Sequence, residues 1–429
     1  MARKPGLTSQ DILVAVTTIS FDIAGLEIYL PLIVGARIVL ASRLVASDGI
    51  QLLALLKRSG ATVMQATPVS YRLLLEAGWK GDPAIKALCG GEALPRELAN
   101  RILECNVPLW NMYGPTETTI WSATSQVTAE DGPVTVGPPI DNTQFYVLDA
   151  HNQLLPMGVP GELCIGGDGV ARGYYKRTEL TAEKFVSDPF SSSGPARMYR
   201  TGDLVRRLPN GHFEFLGRMD GQIKLRGFRI ELGEIEAAVA LHPSVKQAVV
   251  LLREDMPGDK RLIAYLVPNP GGIPAAGEIR TFLLAKLPDY MVPSGFITLA
   301  SFPLTPNGKI DRKALPAPDW AKQPRGNAYV EPRTPEEKTM CSIWAEVLRL
   351  DRVGINDNLF ELGADSLHVF QIVARANKAG IDVKPRQILQ FRTIAAVFDD
   401  LGKSKKATSE APALVPVSRS KYRLVRQPS

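Results

Sequence analysis

Apolar strand-like runs alternate with helical stretches along the first half of the chain, and this alternation limits the fold more than any other feature. The runs ARIVLA (36–41) and ATVMQA (61–66) read as strands, whereas IQLLALLKR (50–58) and PRELANRILE (95–104) carry apolar residues at helical spacing. Strands separated by single helices form βαβ units around a parallel sheet. We therefore predict an α/β domain over residues 1–218, whose later part contains short strands broken by glycine and proline.

Two smaller folded segments are expected after this domain. Residues 219–318 contain two strand-like runs and one helical stretch, which predicts a small α+β subdomain. The stretch PAPDWAKQPRGNAYVEP (316–332), rich in proline, alanine and polar residues, has the composition of a linker, which we place at residues 319–333. Residues 334–403 combine helical patterns with short loops, which predicts a small helical bundle. The chain is therefore expected to be multidomain.

The start of the bundle carries its own helix signals. Thr334 is a good N-cap, Pro335 suits the first helical position, and Glu337 is placed to complete a capping box. A second helix is expected from Ser366 toward Gly380, whose glycine would end it.

Charge and cysteine usage exclude several classes of function. The formal net charge is +6, but residues 402–429 hold seven Lys/Arg against one Glu, so the rest of the chain is neutral. The basicity therefore belongs to a tail, residues 404–429, which we expect to be disordered, and nucleic-acid binding is not expected. The four cysteines form no C-x-x-C pair, and no apolar run reaches about 18 residues. We expect a cytoplasmic protein without a zinc site or membrane span.

Six glycine-rich polar stretches lie between the apolar runs. They are NMYGPTETTIW (111–121), GELCIGGDGVARGYY (161–175), YRTGDL (199–204), GRMDGQIKLRGFRIELGEIE (217–236), LPDYMVP (287–293) and NGKIDR (307–312). One alone is weak, because a β-turn with a helix cap explains YGPTE equally well. Together, in this order, they resemble the adenylation domain of a nonribosomal peptide synthetase. LGADSL (362–367) resembles the attachment motif of the peptidyl carrier domain that follows it.

The resemblance covers residues 5–403 and implies both fold and activity. It implies a partial adenylate-forming (ANL-type) α/β large subdomain, a small α+β subdomain and an all-α four-helix carrier bundle. Such enzymes make an aminoacyl adenylate from an amino acid and ATP, then transfer the acyl group to a phosphopantetheine thiol. The implied nucleotide-binding residues are Asn111, Tyr113, Asp203 and Arg218.

Metal and catalytic residues are implied in the same way. Glu117 would bind Mg²⁺ beside the hydroxyl of Thr116, since carboxylate oxygens suit this ion. Lys309 would bridge the substrate carboxylate and the nucleotide during adenylation, as a compact positive charge. Asp220 matches the hinge about which the small subdomain rotates between the two half-reactions.

The stretch FDIAGLE (21–27) resembles the one that opens the amino-acid pocket. The pocket residues implied are Asp22, Ile23, Leu26, Gln65, Leu88, Gly90, Met112, Ile120 and Trp121, together with Lys309. Asp22 would hold the substrate ammonium. The others are mostly bulky and add no second charge, so a larger substrate side chain would clash. The resemblance favours glycine, with alanine second.

Ser366 would carry 4′-phosphopantetheine, added from coenzyme A by a separate phosphopantetheinyl transferase. A serine at a helix N-terminus suits a phosphodiester, because free N–H groups and the helix dipole favour an anion. Ala364 departs from the family pattern, which has a second glycine here, and we expect the change to be tolerated because the position requires a small residue.

The family's phosphate-binding loop is not found in residues 1–429. We therefore expect a partial large subdomain with exposed sheet edges and apolar helix faces, weak adenylation by this chain alone, and neighbouring modules or a missing N-terminal half as partners. Two alternatives stay open. The chain is a non-catalytic carrier scaffold, or it is a relative of acyl- or aryl-CoA ligases, against which Asp22 and the carrier argue.

Overall fold

Two compact units make up the chain, Met1–Pro318 and Asp319–Ser429. The computed structural model describes residues 1–129, 132–191, 194–225, 227–256, 259–270, 276–305, 309–318, 329–348, 350–360, 362–364 and 366–409. Most of the expected linker and the end of the expected tail, residues 319–328 and 410–429, lie outside the described residues.

The first unit begins with a mostly parallel sheet, as the alternation of strands and helices predicts. Its strands, in the order β2-β1-β3-β4-β5-β6, are β1 (Ile12–Ala15), β2 (Arg37–Leu40), β3 (Val63–Ala66), β4 (Lys86–Gly90), β5 (Leu109–Tyr113) and β6 (Ala123–Gln126). Only β6 runs antiparallel to its neighbour. The helices that connect them are α1 (Ala24–Val34), α2 (Arg43–Ala46), α3 (Gly49–Ser59), α4 (Pro68–Glu76) and α5 (Arg96–Leu103). Helices α3 to α5 and strands β3 to β5 share one buried apolar core.

Helix α3 shows how local sequence sets the boundaries of these elements. Asp48 accepts hydrogen bonds from the N–H groups of Ile50 and Gln51, at 2.9 and 3.1 Å, and so caps the first turn. Gly60 ends the helix with φ = 64°, a left-handed conformation that glycine adopts without strain.

An antiparallel sheet follows, built from the short strands expected in the later part of this region. It contains β7 (Thr143–Leu148), β8 (Gly161–Gly167), β10 (Arg197–Arg207) and β11 (Phe213–Arg218), in the order β11-β10-β8-β7, with β9 (Phe185–Ser187) paired to β10. Helix α6 (Thr178–Lys184) precedes β9. Strands β10 and β11 pair so that Asp203 lies opposite Arg218.

The remainder of the first unit is the small α+β part. A hairpin of β12 (Gln222–Leu225) and β13 (Phe228–Glu231) precedes α7 (Leu232–Ala240). Strands β14 (Val245–Met256), β15 (Asp259–Pro268) and β16 (Gly295–Thr298) form a sheet that packs with α7 and α8 (Ala276–Leu284) around one apolar core. Both expected strands and the expected helix are confirmed.

The second unit contains four helices in its described part, which confirms the expected bundle. They are α9 (Pro335–Leu348), α10 (Ser366–Lys378), α11 (Pro385–Phe391) and α12 (Ile394–Ser409), packed around the buried Trp344. The Thr334 hydroxyl accepts from the Glu337 N–H at 3.2 Å, as expected of an N-cap. The predicted capping box was wrong. It requires the Glu337 carboxylate to accept from the N–H of the cap residue Thr334, whereas it accepts from the N–H of Arg333, one residue earlier, at 2.7 Å.

Helix α12 also corrects the expected start of the tail. It continues through Ser409, so residues 404–409 are helical where disorder was expected. No glycine or proline interrupts residues 403–409, and nothing in the local sequence therefore ends the helix at 403.

The large sheet leaves apolar surface exposed along one side, as expected. Strand β2 is at its edge, and α1 exposes Tyr29, Leu32 and Ile33, the last of them 79% exposed. Within the described residues, none of the helices combines the length and apolar character that a membrane span requires.

Candidate functional site

The residues expected to bind the nucleotide lie where β5 meets strands β10 and β11. Asn111 and Tyr113 stand two residues apart on β5 and therefore share one face. The Tyr113 hydroxyl donates to Asp203 at 2.5 Å, and Arg218 Nη1 donates to the other Asp203 oxygen at 2.7 Å. The Asn111 amide nitrogen donates to the carbonyl of Thr135 at 2.8 Å. The structure thus brings together Tyr113, Asp203 and Arg218.

Arg218 also reaches the residue expected to be the hinge. Its Nε and Nη2 donate to the two carboxylate oxygens of Asp220 at 2.9 and 2.5 Å. Burial alone would raise the pKa of Asp220, but the Arg218 guanidinium outweighs burial and lowers it. One arginine therefore joins Asp203, expected on the nucleotide side, to Asp220 at the start of the small α+β part.

Glu117, the expected metal ligand, is bound by an arginine that sequence reasoning missed. Arg229 Nη1, on β13, donates to both Glu117 oxygens at 2.7 and 2.8 Å, and the Tyr174 hydroxyl donates to one of them at 2.6 Å. Burial would raise the pKa of Glu117, yet the charge of Arg229 lowers it overall. A buried carboxylate suits Mg²⁺ chemically. In this arrangement, however, the same oxygens are engaged by Arg229, so a cation would have to displace the guanidinium.

The β12–β13 hairpin lies against the large subdomain next to this carboxylate. The backbone N–H of Gly227 donates to the carboxylate of Glu92, and a Cβ on Gly227 would lie 3.1 Å from Thr67. Gly227 has φ = 81°, so both its conformation and its surroundings favour glycine. On β12, the positive charge of Lys224 attracts the carboxylates of both Asp22 and Asp203. Burial lowers the pKa of the Lys224 ammonium.

Lys309 is not brought to this site. It lies on an exposed loop, where its N–H donates to the Thr305 hydroxyl at 3.2 Å and its carbonyl accepts from the Thr305 N–H at 2.7 Å. Within the described residues, no hydrogen bond or ion pair joins it to Asp22 or Glu117. Its neighbours Asn307 and Gly308 lie outside the described residues. The hairpin with Arg229, and not the loop of Lys309, faces the site in this arrangement.

The structure does bring the other expected pocket residues together, and we call this set the amino-acid pocket. Ile23, Leu26, Leu88, Met112 and Trp121 belong to one buried cluster, with Ile120 packed against it. A Cβ on Gly90 would lie only 2.4 Å from Cη2 of Trp121, so the indole occupies the space beside this glycine. Gln65 accepts from the Trp121 indole N–H at 2.8 Å.

Asp22 lies at the entrance of α1, directly before Ile23. Burial raises the pKa of its carboxyl, although a hydrogen bond from the side chain of Thr116 opposes the change. Thr116 therefore lies beside Asp22, one residue before Glu117, which links the amino-acid pocket to the expected metal ligand.

In the second unit, Ser366 is the first residue of α10. Its side chain and the preceding Asp365 lie outside what the structure describes. Ala364 is 1% exposed and does not adopt a positive φ, which agrees with the expectation that this position requires a small residue.

Comparisons with known proteins agree with these observations. Profiles of three families match the chain: AMP-binding enzyme over residues 1–175, AMP-binding enzyme C-terminal domain over 234–309, and phosphopantetheine attachment site over 338–401. A dimodular nonribosomal peptide synthase of Bacillus subtilis is 45% identical over 425 residues, 97% of this chain and 18% of the relative. Tyrocidine synthase 3 of Brevibacillus parabrevis is 43% identical over 424 residues, 97% of this chain and 6% of its own length.

Solved structures show the same similarity. A four-domain nonribosomal peptide synthetase bound to AMP and glycine is 41% identical, with a TM-score of 0.50, over 95% of this chain and 30% of that one. A synthetase protein containing adenylation and carrier domains, bound to a vinylsulfonamide inhibitor, is 29% identical, with a TM-score of 0.75, over 92% of this chain and 66% of that one. The chain spans less than a fifth of the length of the two curated relatives. It belongs to the AMP-binding enzymes, as a ligase-type adenylation region joined to a phosphopantetheine carrier domain of the nonribosomal peptide synthetase type.

Proposed function

We propose that this chain forms part of a synthetase module that activates glycine with ATP as glycyl-AMP and loads it as a thioester on phosphopantetheine at Ser366. Asp22 binds the substrate ammonium, the amino-acid pocket limits the side chain, and the second unit carries the activated acyl group. The domain limits proposed from the sequence are 1–218, 219–318, 319–333 and 334–403.

The observation that carries the choice of glycine is the packing of Trp121 against Gly90. A methyl group as small as Cβ has no room at Gly90, and Trp121 itself is 2% exposed. A pocket filled in this way rejects larger side chains through steric clash, which discriminates by about 10–200-fold per methylene. The similar four-domain synthetase was solved with AMP and glycine. Alanine, one methyl larger, is the second candidate.

The nucleotide would bind along Asn111, Tyr113, Asp203 and Arg218. Asp203 would exchange the hydrogen bonds of Tyr113 and Arg218 for those of the ribose hydroxyls, since a carboxylate accepts several donors. Glu117 would bind Mg²⁺, which offsets the charge of the triphosphate. Rotation about Asp220 would withdraw Arg229 from Glu117 and bring Lys309 to the substrate carboxylate.

The partners follow from this chemistry. They are glycine, ATP, a phosphopantetheinyl transferase that uses coenzyme A, and neighbouring modules of the synthetase. The four cysteines are unpaired, which supports a reducing cytoplasm as the place of action.

Carrier loading tests the proposal first. A phosphopantetheinyl transferase with coenzyme A should add one phosphopantetheine to the chain, and Ser366→Ala should abolish the increase in mass. Amino-acid-dependent pyrophosphate exchange by the synthetase module that contains this chain should then favour glycine. Trp121→Ala in that module should admit larger amino acids. A preference for a bulky or charged amino acid would contradict the pocket assignment. Loading without any nucleotide binding would favour the non-catalytic scaffold instead.

A further inference from the structure

A buried glutamate that the proposed site does not use lies behind the amino-acid pocket. Glu27, in the first turn of α1, is 0% exposed. One of its oxygens accepts from the Thr17 N–H at 3.0 Å, and the other accepts from the Thr17 hydroxyl at 2.6 Å and from Gln65 Nε2 at 3.1 Å. Buried carboxylates are costly without such partners, so their presence in a pocket wall calls for a physical role.

Glu27 and the carbonyl of Ile23 together fix which way the Gln65 amide points. Gln65 Nε2 donates to Glu27 and, at 2.8 Å, to the carbonyl of Ile23. Both partners accept, so the amide nitrogen must face them and the amide oxygen must face the opposite direction. That oxygen accepts from Trp121 Nε1 at 2.8 Å, and an indole N–H can only donate. Rotation of the amide by 180° would place donor against donor at Trp121.

The position of the indole sets the free space in the pocket. Cη2 of Trp121 occupies the place beside Gly90 that a Cβ would need, at 2.4 Å. The indole ring is held at its opposite edge by the hydrogen bond to Gln65. Gln65 is itself 0% exposed, so water cannot replace a lost partner in this series of hydrogen bonds.

We propose that Glu27 is a positioning residue for substrate selection, which holds Gln65 and through it the indole of Trp121 in the place that excludes any side chain larger than hydrogen. Glu27 contacts no substrate in this role. The inference rests on the proposed activation of glycine, and it names a determinant outside the residues that line the pocket.

Binding of two stable adenylate analogues to the chain tests this role without a need for turnover. Glycyl- and alanyl-sulfamoyladenosine differ by one methyl group, so the ratio of their Kd values, measured by calorimetry, reports side-chain selection. Glu27→Gln keeps the size but places an amide N–H against the Thr17 N–H or the Gln65 amide. We expect the preference for the glycyl analogue to fall about tenfold, the loss that one broken buried hydrogen bond produces.

Asp188→Asn provides a matched control. Asp188 is also buried in the first unit and also accepts from one hydroxyl, of Tyr146, and one backbone N–H, of Phe190. This substitution should leave the ratio of the two Kd values unchanged. If Glu27→Gln does not fold, Thr17→Val removes only the 2.6 Å hydroxyl donor and should narrow the ratio in the same direction.

A double-mutant cycle separates positioning from a general structural role. Trp121→Phe removes the indole N–H, so Glu27→Gln in that background should change the ratio no further. A ratio that stays at the wild-type value in Glu27→Gln, or an effect that persists fully in Trp121→Phe, would overturn the inference. A wild-type chain that binds neither analogue would instead contradict the proposed function.

Discussion

Gly90→Ala offers a direct test of the packing that closes the amino-acid pocket. The added Cβ would lie 2.4 Å from Trp121 Cη2, 2.6 Å from the Met112 carbonyl oxygen and 2.8 Å from Met112 Cβ. All three distances are below van der Waals contact, and one involves backbone of the neighbouring strand β5. Overpacking of a core by one methyl group costs about 1–3 kcal/mol, and backbone cannot move away as a flexible side chain can. We expect a loss near the top of this range, about 3 kcal/mol.

Hydrogen exchange in peptides from β4 and β5 would measure this loss, because several domains make global unfolding of the chain a poor two-state process. A loss of about 3 kcal/mol corresponds to roughly a hundredfold lower protection. Gly233→Ala is the control, since a Cβ there meets nothing within 4 Å and the residue lies in α7. Adding Trp121→Phe to Gly90→Ala should restore part of the protection, because it removes the clash with Cη2 of Trp121. The rescue should be incomplete, because the clashes with Met112 remain. Unchanged protection in Gly90→Ala alone would refute the packing described here.

Three further predictions concern charged groups. Arg229→Met should free Glu117 and strengthen Mn²⁺ binding in the presence of ATP, as measured by electron paramagnetic resonance; equal affinities would show that the guanidinium does not compete. Asp22→Ala should weaken the binding of glycyl-sulfamoyladenosine, measured by calorimetry, by about 3–5 kcal/mol, because the buried ammonium of the ligand loses its partner. Arg333 lowers the pKa of Glu337, so this pair stabilises the bundle above the ordinary pKa range of glutamate and ceases to do so as pH falls through the lowered pKa. In a plot of the melting temperature of the bundle against pH, Glu337→Gln should therefore reduce the decline on the acid side. A decline identical to that of the wild-type protein would contradict this.

Local pattern predicted the elements of the fold well, because strand and helix signals depend on neighbours in sequence. Asp48 and Gly60, for example, set the ends of α3 through contacts within a few residues. The pocket residues came together because they belong to motifs whose spacing carries the family's geometry. Glu337 shows the limit of such reasoning. Its carboxylate accepts from the N–H of Arg333 and not from that of the cap residue Thr334, and the motif does not distinguish these two neighbouring donors.

Arg229 and Glu27 could not be predicted because their partners are distant in sequence. Arg229 stands among other charged residues in GFRIELGEIE, where it is indistinguishable from a solvated strand residue until β13 is placed beside Glu117. The exposed position of Lys309 depends likewise on where the small α+β part places its loop, which no local signal specifies. Glu27 follows the pocket motif directly, and only the hydrogen bonds of Gln65 reveal its role.

The contact between Arg229 and Glu117 has a thermodynamic consequence for the enzyme. A cation held by Glu117 would have to displace the guanidinium of Arg229, so ion binding there would be linked thermodynamically to the orientation of the β12–β13 hairpin. By reciprocity, the factor by which a bound ion disfavours this orientation equals the factor by which this orientation weakens ion binding. Competition for a single carboxylate would thus set the balance between an ion-bound form and the form in which the hairpin is docked.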